Sequence, residues 1–229
     1  MYVELLIEDV SGKKAMDILI PKLVDNGMPV RTHAYKGIGR IPTGLKPRTD
    51  ANKRQLLDHL PRLLQGFGRV PDCKAVVVIC DLDDKDRQQF LGELNAVLES
   101  CKPRPNAVFC LAIEEFEAWY LGDVNAVRKA YPNAKSDVLS GYKNDSICGT
   151  WEVLADAVYA GGSKGLLNKG WQAVGEQKSA WAEAIGPYMD VEENASPSFR
   201  EMRDQLRGIG GTQAMIPESE SSCHDSPST

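Results

Sequence analysis

The chain has 229 residues, 42% of them hydrophobic and 26% charged, and a formal net charge of −5. That balance fits a soluble globular protein of one domain with an elaboration, long enough to bury a core without disulfide or metal staples. No apolar run nears the roughly 18 residues of a membrane span, and Met1 to Glu8 lacks a basic leader segment, so a cytoplasmic protein with no membrane partner is expected.

Tyr2 to Ile7 is a nearly continuous apolar run, as in a parallel strand buried on both faces. Ser11 is a candidate cap for the helix that follows, with Ala15, Met16, Leu19 and Leu23 at helical spacing. Pro21 is expected to kink that helix and Gly27 to stop it. Pro29 to Tyr35 reads as a second strand and Lys36 to Thr49 as a loop, in which Gly37-Ile38-Gly39 is a turn. Asp50 is the next candidate cap, ahead of the stripe Leu56, Leu57, Leu60, Leu63, Leu64. Lys74 to Cys80 is the clearest strand, because β-branched residues dominate it. Asp83 or Asp84 is positioned to cap a third helix, marked by Phe90, Leu91, Leu94, Val97, Leu98 and Cys101. Ala107 to Ala112 is a fourth strand, and Ile113 to Leu121 starts another helix.

This alternation predicts an α/β fold with a parallel sheet between helices. Past Gly122 the pattern turns helical. Trp151, Leu154, Ala155 and Val158 share one face, and Trp181, Ile185 and Met189 another, with Gly161 to Gly165 as a link. Phe199, Met202 and Leu206 mark a last short helix, capped by Ser196 or Ser198. Residues 1–122 are thus expected to form a core, 123–207 a helical elaboration packed on it, and 208–229 a disordered tail. All four tryptophans read as core residues, and Cys80 and Cys110 as buried thiols.

Charge is unevenly spread. Residues 31–70 hold nine Lys or Arg against the two acids Asp50 and Asp58, so the acidic excess lies elsewhere. His33, Lys36 and Arg40 follow the second strand and are candidate phosphate contacts. In an open parallel sheet, functional groups collect at the carboxyl ends of strands. Three strand ends here deliver acids: Glu8-Asp9, Asp81-Leu82-Asp83-Asp84, and Glu114-Glu115-Phe116-Glu117. Crowded carboxylates repel, and a hard divalent cation such as Mg²⁺ relieves that repulsion through oxygen ligands. If the helix has begun, Glu115 and Glu117 lie about 200° apart around it and cannot both face one ion; Glu117, between Ile113 and Tyr120, is the better placed.

Glu8 after the first strand and Asp81-x-Asp83 after a Val/Ile-rich strand resemble the Toprim signature of topoisomerases, bacterial primases and OLD-type nucleases. The likeness is closer to a Toprim-like family of bacterial defence islands. It is carried by Ile7-Glu8-Asp9-Val10-Ser11, by Asp81-Leu82-Asp83, by Glu115-Phe116-Glu117-Ala118-Trp119-Tyr120-Leu121-Gly122-Asp123, and by Asn194-Ala195-Ser196-Pro197-Ser198-Phe199. Asp9 stands where Toprim enzymes usually place Gly.

The resemblance implies a Toprim-like Rossmannoid sheet with a C-terminal helical elaboration, and a metal-dependent nuclease acting on DNA or RNA. It also implies an ABC-type ATPase partner in antiphage defence, and it leaves a homo-oligomer open. Asp81 and Asp83 would hold Mg²⁺ or Mn²⁺, Glu8 would complete the site or act as general base, and Glu117, or Glu115, would extend toward a second ion. The alternative is a non-catalytic Toprim-fold binding subunit of an ATPase complex. A response-receiver domain also places acids after its first and third strands, but it needs a hydroxyl residue where Ile113-Glu114 stand.

Overall fold

The computed structural model describes residues 1–24, 27–43 and 54–210. Asp50, the basic residues Lys46, Arg48 and Lys53, and the tail beyond residue 210 lie outside the described residues. The chain alternates β1 (Tyr2–Ile7), α1 (Val10–Leu23), β2 (Val30–Ala34), α2 (Leu56–Phe67), β3 (Cys73–Asp81), α3 (Arg87–Ser100), β4 (Ala107–Ala112) and α4 (Glu117–Leu121). Six further helices follow: α5 (Val124–Ala130), α6 (Ser136–Gly141), α7 (Thr150–Val158), α8 (Gly162–Leu167), α9 (Trp171–Ile185) and α10 (Pro197–Gly210).

All strand pairs are parallel, in the order β2-β1-β3-β4. Leu5 sits level with Thr32 on one side and Val77 on the other. The chain leaves β1 toward β2 and leaves β3 toward β4, in opposite directions. The gap between the carboxyl ends of β1 and β3 is therefore a topological switch point, where open α/β sheets form their crevice.

Each face of the sheet has its own core. Val3, Leu5, Ile7, Ala75, Val77 and Ile79 pack with α1 and the C-terminal helices, through Trp181, Ile185, Phe199 and Met202. Leu6, Val76, Val78 and Cys80 pack with α2 and α3, through Leu60, Leu64, Phe90 and Leu94. Burial on both faces is why β1 and β3 are continuous apolar runs and do not alternate. Helix α1 and the C-terminal helices thus cover one sheet face together. Among the described residues no helix is long and apolar enough to cross a membrane.

Local differences from the sequence reading have identifiable causes. Asp9, not Ser11, caps α1: its Oδ1 accepts from Gly12 N at 2.7 Å, and Ser11 Oγ donates to Oδ2 at 2.6 Å. Helix α1 continues through Pro21 to Leu23. Asp86, not Asp83 or Asp84, caps α3 by accepting from Gln89 N. Gly161 and Gly162, with φ of +88° and +65°, make the left-handed turn into α8, and Asp156 Oδ1 accepts from Ser163 N. The expected link is therefore a helix, anchored by buried Leu166. Helix α10 has 14 residues and runs to Gly210, past the expected end of the elaboration; Ser196 Oγ accepts from Phe199 N near its start. Trp119, Trp151 and Trp181 are core residues, but Trp171 is 71% exposed.

Candidate active site

Three strand ends meet at the switch point. β1 ends in Glu8, whose Oε2 accepts the backbone amide of Asp81, at the end of β3, at 3.0 Å. Asp9 is held by its capping bonds, so the neighbouring acids have separate tasks: Asp9 starts the helix and Glu8 reaches across the gap. Gly12 lets α1 begin this close, since a Cβ there would stand 3.0 Å from Ile7 Cγ2 and 3.1 Å from Asp9 Oδ1.

The backbones after β3 and β4 are also tied. Asp83 N donates to Glu114 O at 2.8 Å, and both residues have left-handed φ, +51° and +62°. Such conformations are uncommon for residues other than glycine and cluster at functional sites. Glu114 has a structural task of its own. Its carboxylate accepts from Cys148 N at 3.2 Å, Gly149 N at 2.8 Å and Thr150 N at 2.8 Å, so it holds the start of α7.

Glu115 and Glu117 follow, and α9 brings Lys178 between them. Lys178 Nζ lies 3.1 Å from Glu115 Oε1 and 3.3 Å from Glu117 Oε2. The turn Ile113–Phe116 precedes the helix, which starts only at Glu117, and so both acids reach one ammonium. Asp83 pairs instead with Lys85, Oδ2 to Nζ at 2.5 Å. Neither lysine was a predicted site residue. Lys178 does carry a signal in retrospect: it falls on the apolar stripe Val174, Trp181, Ala182, Ile185 of α9, where a solvated lysine has no place.

Burial raises the Glu8 carboxyl to about 7, and the charges of Asp83 and Asp9 add to the rise. Burial and then Glu8 push Asp81 well above the carboxylate range, although Lys178 opposes this. Burial raises Glu115 to about 7 and also raises Glu117, with Lys178 again opposing. Burial alone would lower Lys178, but Glu117, Glu115 and Asp81 outweigh it and hold the ammonium above the ordinary lysine range. Glu8 and Asp81 thus share a site in which one charge disfavours the other. Among the described residues, no three His, Cys, Asp or Glu side chains converge closely enough to hold a metal as they stand.

The predicted phosphate contacts separate into two groups. His33 Nε2 is 2.5 Å from Glu4 Oε2, so His33 is engaged within the sheet, one strand position before the edge. Lys36 and Arg40 are exposed in the loop after β2. That loop touches the site's backbone, since Gly37 N donates to Glu8 O at 3.0 Å.

The two remaining motifs pack on each other. Trp119 Nε1 donates to Ser198 Oγ at 3.0 Å, and Asn194 Nδ2 donates to Trp119 O at 2.8 Å. Ser196 Oγ and Ser198 N both donate to Asp145, at 2.7 Å each. Gly122 must lack a side chain, because a Cβ would stand 2.3 Å from Asn194 Oδ1. Asp123 caps α5 through Ala126 N and also accepts from Asp190 N. Most of these motif residues therefore lock α4 to α10, while Glu115 and Glu117 face the site.

No curated protein and no solved structure matches the chain. A family model described as "Domain of unknown function (DUF4276)" matches residues 7–207, a span that holds every acid of the site and both motif blocks. The chain belongs to the DUF4276 family.

Proposed function

We propose that this protein is a Toprim-type metal-dependent nuclease, the effector subunit of an ATPase-containing antiphage defence system. One observation carries the reading: Glu8 and Asp81, from two strands, meet at the switch point within one hydrogen bond, and both carboxyls are raised. The donor set fits Mg²⁺ or Mn²⁺, because it consists of oxygens only and a cation would offset the burial and the repulsion that raise both groups. Glu8, Asp81 and Asp83 would hold the ion, with Asp83 released from Lys85. A bound divalent ion polarises a phosphoryl oxygen and lowers the pKa of attacking water.

The chain's own residues supply the rest. The alternative role for Glu8 is general base: outside the ion's ligands its carboxyl, raised to about 7, is suited to accept a proton near neutrality. Glu115 and Glu117 hold Lys178, which gives the site a fixed positive charge beside Asp81. We assign these two acids to that task ahead of a second ion. Lys36 and Arg40 are placed to contact the nucleic-acid backbone.

The test is cleavage of labelled DNA and RNA with Mn²⁺, by the chain alone and with an ATPase encoded beside it. Asp81→Asn should abolish cleavage and leave binding intact. Cleavage by Asp81→Asn equal to the parent's would sink the proposal. A second reading, a non-catalytic binding subunit of an ATPase complex, is favoured by the lysines that already pair with Asp83, Glu115 and Glu117. It predicts no cleavage under any of these conditions and loss of the protein partner when the site is altered.

A further inference from the structure

Beside the acidic edge, between the end of β2 and α2, lies a cavity of about 440 Å³ lined by Tyr35, Arg54, His59, Arg62 and Leu63. Its walls are built, not incidental. Tyr35 N donates to Ile7 O at 3.0 Å, which continues the β1–β2 ladder by one residue. The next residues fasten to the start of α2: Lys36 N donates to Arg54 O, Leu56 N to Gly37 O and Leu57 N to Ile38 O. Gly39 permits this approach, since a Cβ there would stand 2.7 Å from Gln55 Cβ, and Asp58 Oδ1 accepts from Arg40 N at 3.0 Å. His59, Arg62 and Leu63, at spacings of three and four, share one face of α2.

The described lining is cationic. Among the described residues Arg54 and Arg62 pair with no carboxylate and no acid lines the cavity. His59 Nε2 is shielded from water and has no hydrogen-bond partner among the described residues, a costly state for a ring nitrogen. Burial pushes the Tyr35 phenol up to about 12, so it remains a hydroxyl that can donate. Guanidinium groups recognise phosphate by paired hydrogen bonds. The volume lies within the range of small-molecule sites, and Leu63 and the Tyr35 ring offer an apolar wall for a base or sugar.

We propose that this cavity binds a nucleoside monophosphate group, with Arg54 and Arg62 on the phosphate and His59 and Tyr35 as hydrogen-bond partners. Two sources share that chemistry, a free mononucleotide and the phosphorylated end of a nucleic-acid strand. The site needs neither metal nor cleavage, so it stands whether or not the acids hydrolyse phosphodiesters.

The experiment is calorimetric titration of the full chain in EDTA, with AMP, adenosine, and a short oligonucleotide carrying either a 5′-phosphate or a 5′-hydroxyl. AMP should bind and adenosine should bind at least tenfold more weakly. Arg62→Gln and Arg54→Gln, both on exposed residues, should each weaken AMP at least tenfold with an unchanged melting temperature. Asp81→Asn should bind AMP like the parent, which separates this site from the acidic one. If only the 5′-phosphorylated strand binds, with the same dependence on Arg54 and Arg62, a strand end is the ligand. The proposal is overturned if neither AMP nor that strand binds, or if both arginine variants bind like the parent.

Discussion

The carboxylate of Glu8 accepts the backbone amide of Asp81, so a side chain continues the joining of β1 and β3 just past the backbone bond from Glu8 N to Ile79 O. Burial raises the Glu8 carboxyl, and the charges of Asp83 and Asp9 add to the rise, while the bond to the Asp81 amide opposes it.

A pH dependence results. The Glu8 carboxyl rises from 4.5 to about 7 on folding. The folded state holds this proton more tightly than the unfolded chain. The associated stability is fully present below 4.5 and is lost as pH rises through about 7. Denaturant titrations without divalent ions should therefore show stability falling across that window. Glu8→Gln should flatten the fall, and an unchanged profile in that variant would assign the slope to other groups.

Divalent ions should reverse the trend if they bind there. Metal competes with the shared proton, so Mn²⁺ should stabilise more as pH rises toward 7 and above. At a hundredfold excess over its dissociation constant the gain is about 2.7 kcal/mol. Asp81→Asn should remove the Mn²⁺ response in a thermal melt. It should also raise metal-free stability, because one of two repelling charges is gone.

Lys178→Met should be strongly destabilising. Removing one partner of a buried pair costs about 3–5 kcal/mol, and here two acids lose their cation. The loss should shrink as pH falls, because Glu115 and Glu117 then take up protons. Adding Glu115→Gln and Glu117→Gln to Lys178→Met should recover most of the stability, as measured by urea midpoints. A loss independent of pH would mean that packing, not charge, holds Lys178 there.

The acids of the 114–117 turn should respond differently. Glu114→Ala leaves the amides of Cys148, Gly149 and Thr150 without their acceptor. A destabilisation of about 1–3 kcal/mol is expected, with faster hydrogen exchange at the start of α7. Its Mn²⁺ response should match the parent's, since the Glu114 carboxylate is taken up by those three amides.

Gly122→Ala should strain the lock between α4 and α10. The new methyl would meet Asn194 Oδ1 at 2.3 Å and Ser196 Cβ at 2.7 Å. Overpacking of this kind costs about 1–3 kcal/mol. Asn194→Ala loses the bond to Trp119 O but relieves the clash, so a double-mutant cycle should show clear non-additivity.

The parallel sheet was legible because β-branched runs such as Ala75 to Ile79 have no other good home, and β4 lies where its composition placed it. Caps were harder: Asp83, Asp84 and Asp86 are equivalent as residue types, and only the chain's path after β3 selects Asp86. The acids at three strand ends could be read from topology. Lys178 could not, because its partners are about sixty residues earlier and α9 folds back across the sheet. The glycines at 161 and 162 suggested a link, yet they serve a left-handed turn between two helices.

The C-terminal helices share the cover of one sheet face with α1, to which they are tied by polar clasps as well as by packing. Lys22 Nζ donates to the carbonyls of Gly186, Pro187 and Met189, and Arg207 Nε donates to Leu23 O. A gene fragment ending at residue 122 would thus encode a sheet with one face only partly covered, by α1: Val77, Ile79 and Cys110 would lose Phe199, Met202 and the other apolar residues of the C-terminal helices. Lys178 would also be missing from its two acids. Truncation should yield an aggregating polypeptide, not a minimal enzyme, and insertions should be better tolerated beyond Gly210 than between α4 and α10. The family match from 7 to 207 spans nearly the same stretch as the folded elements, from β1 to α10. Heredity and folding here share one indivisible unit.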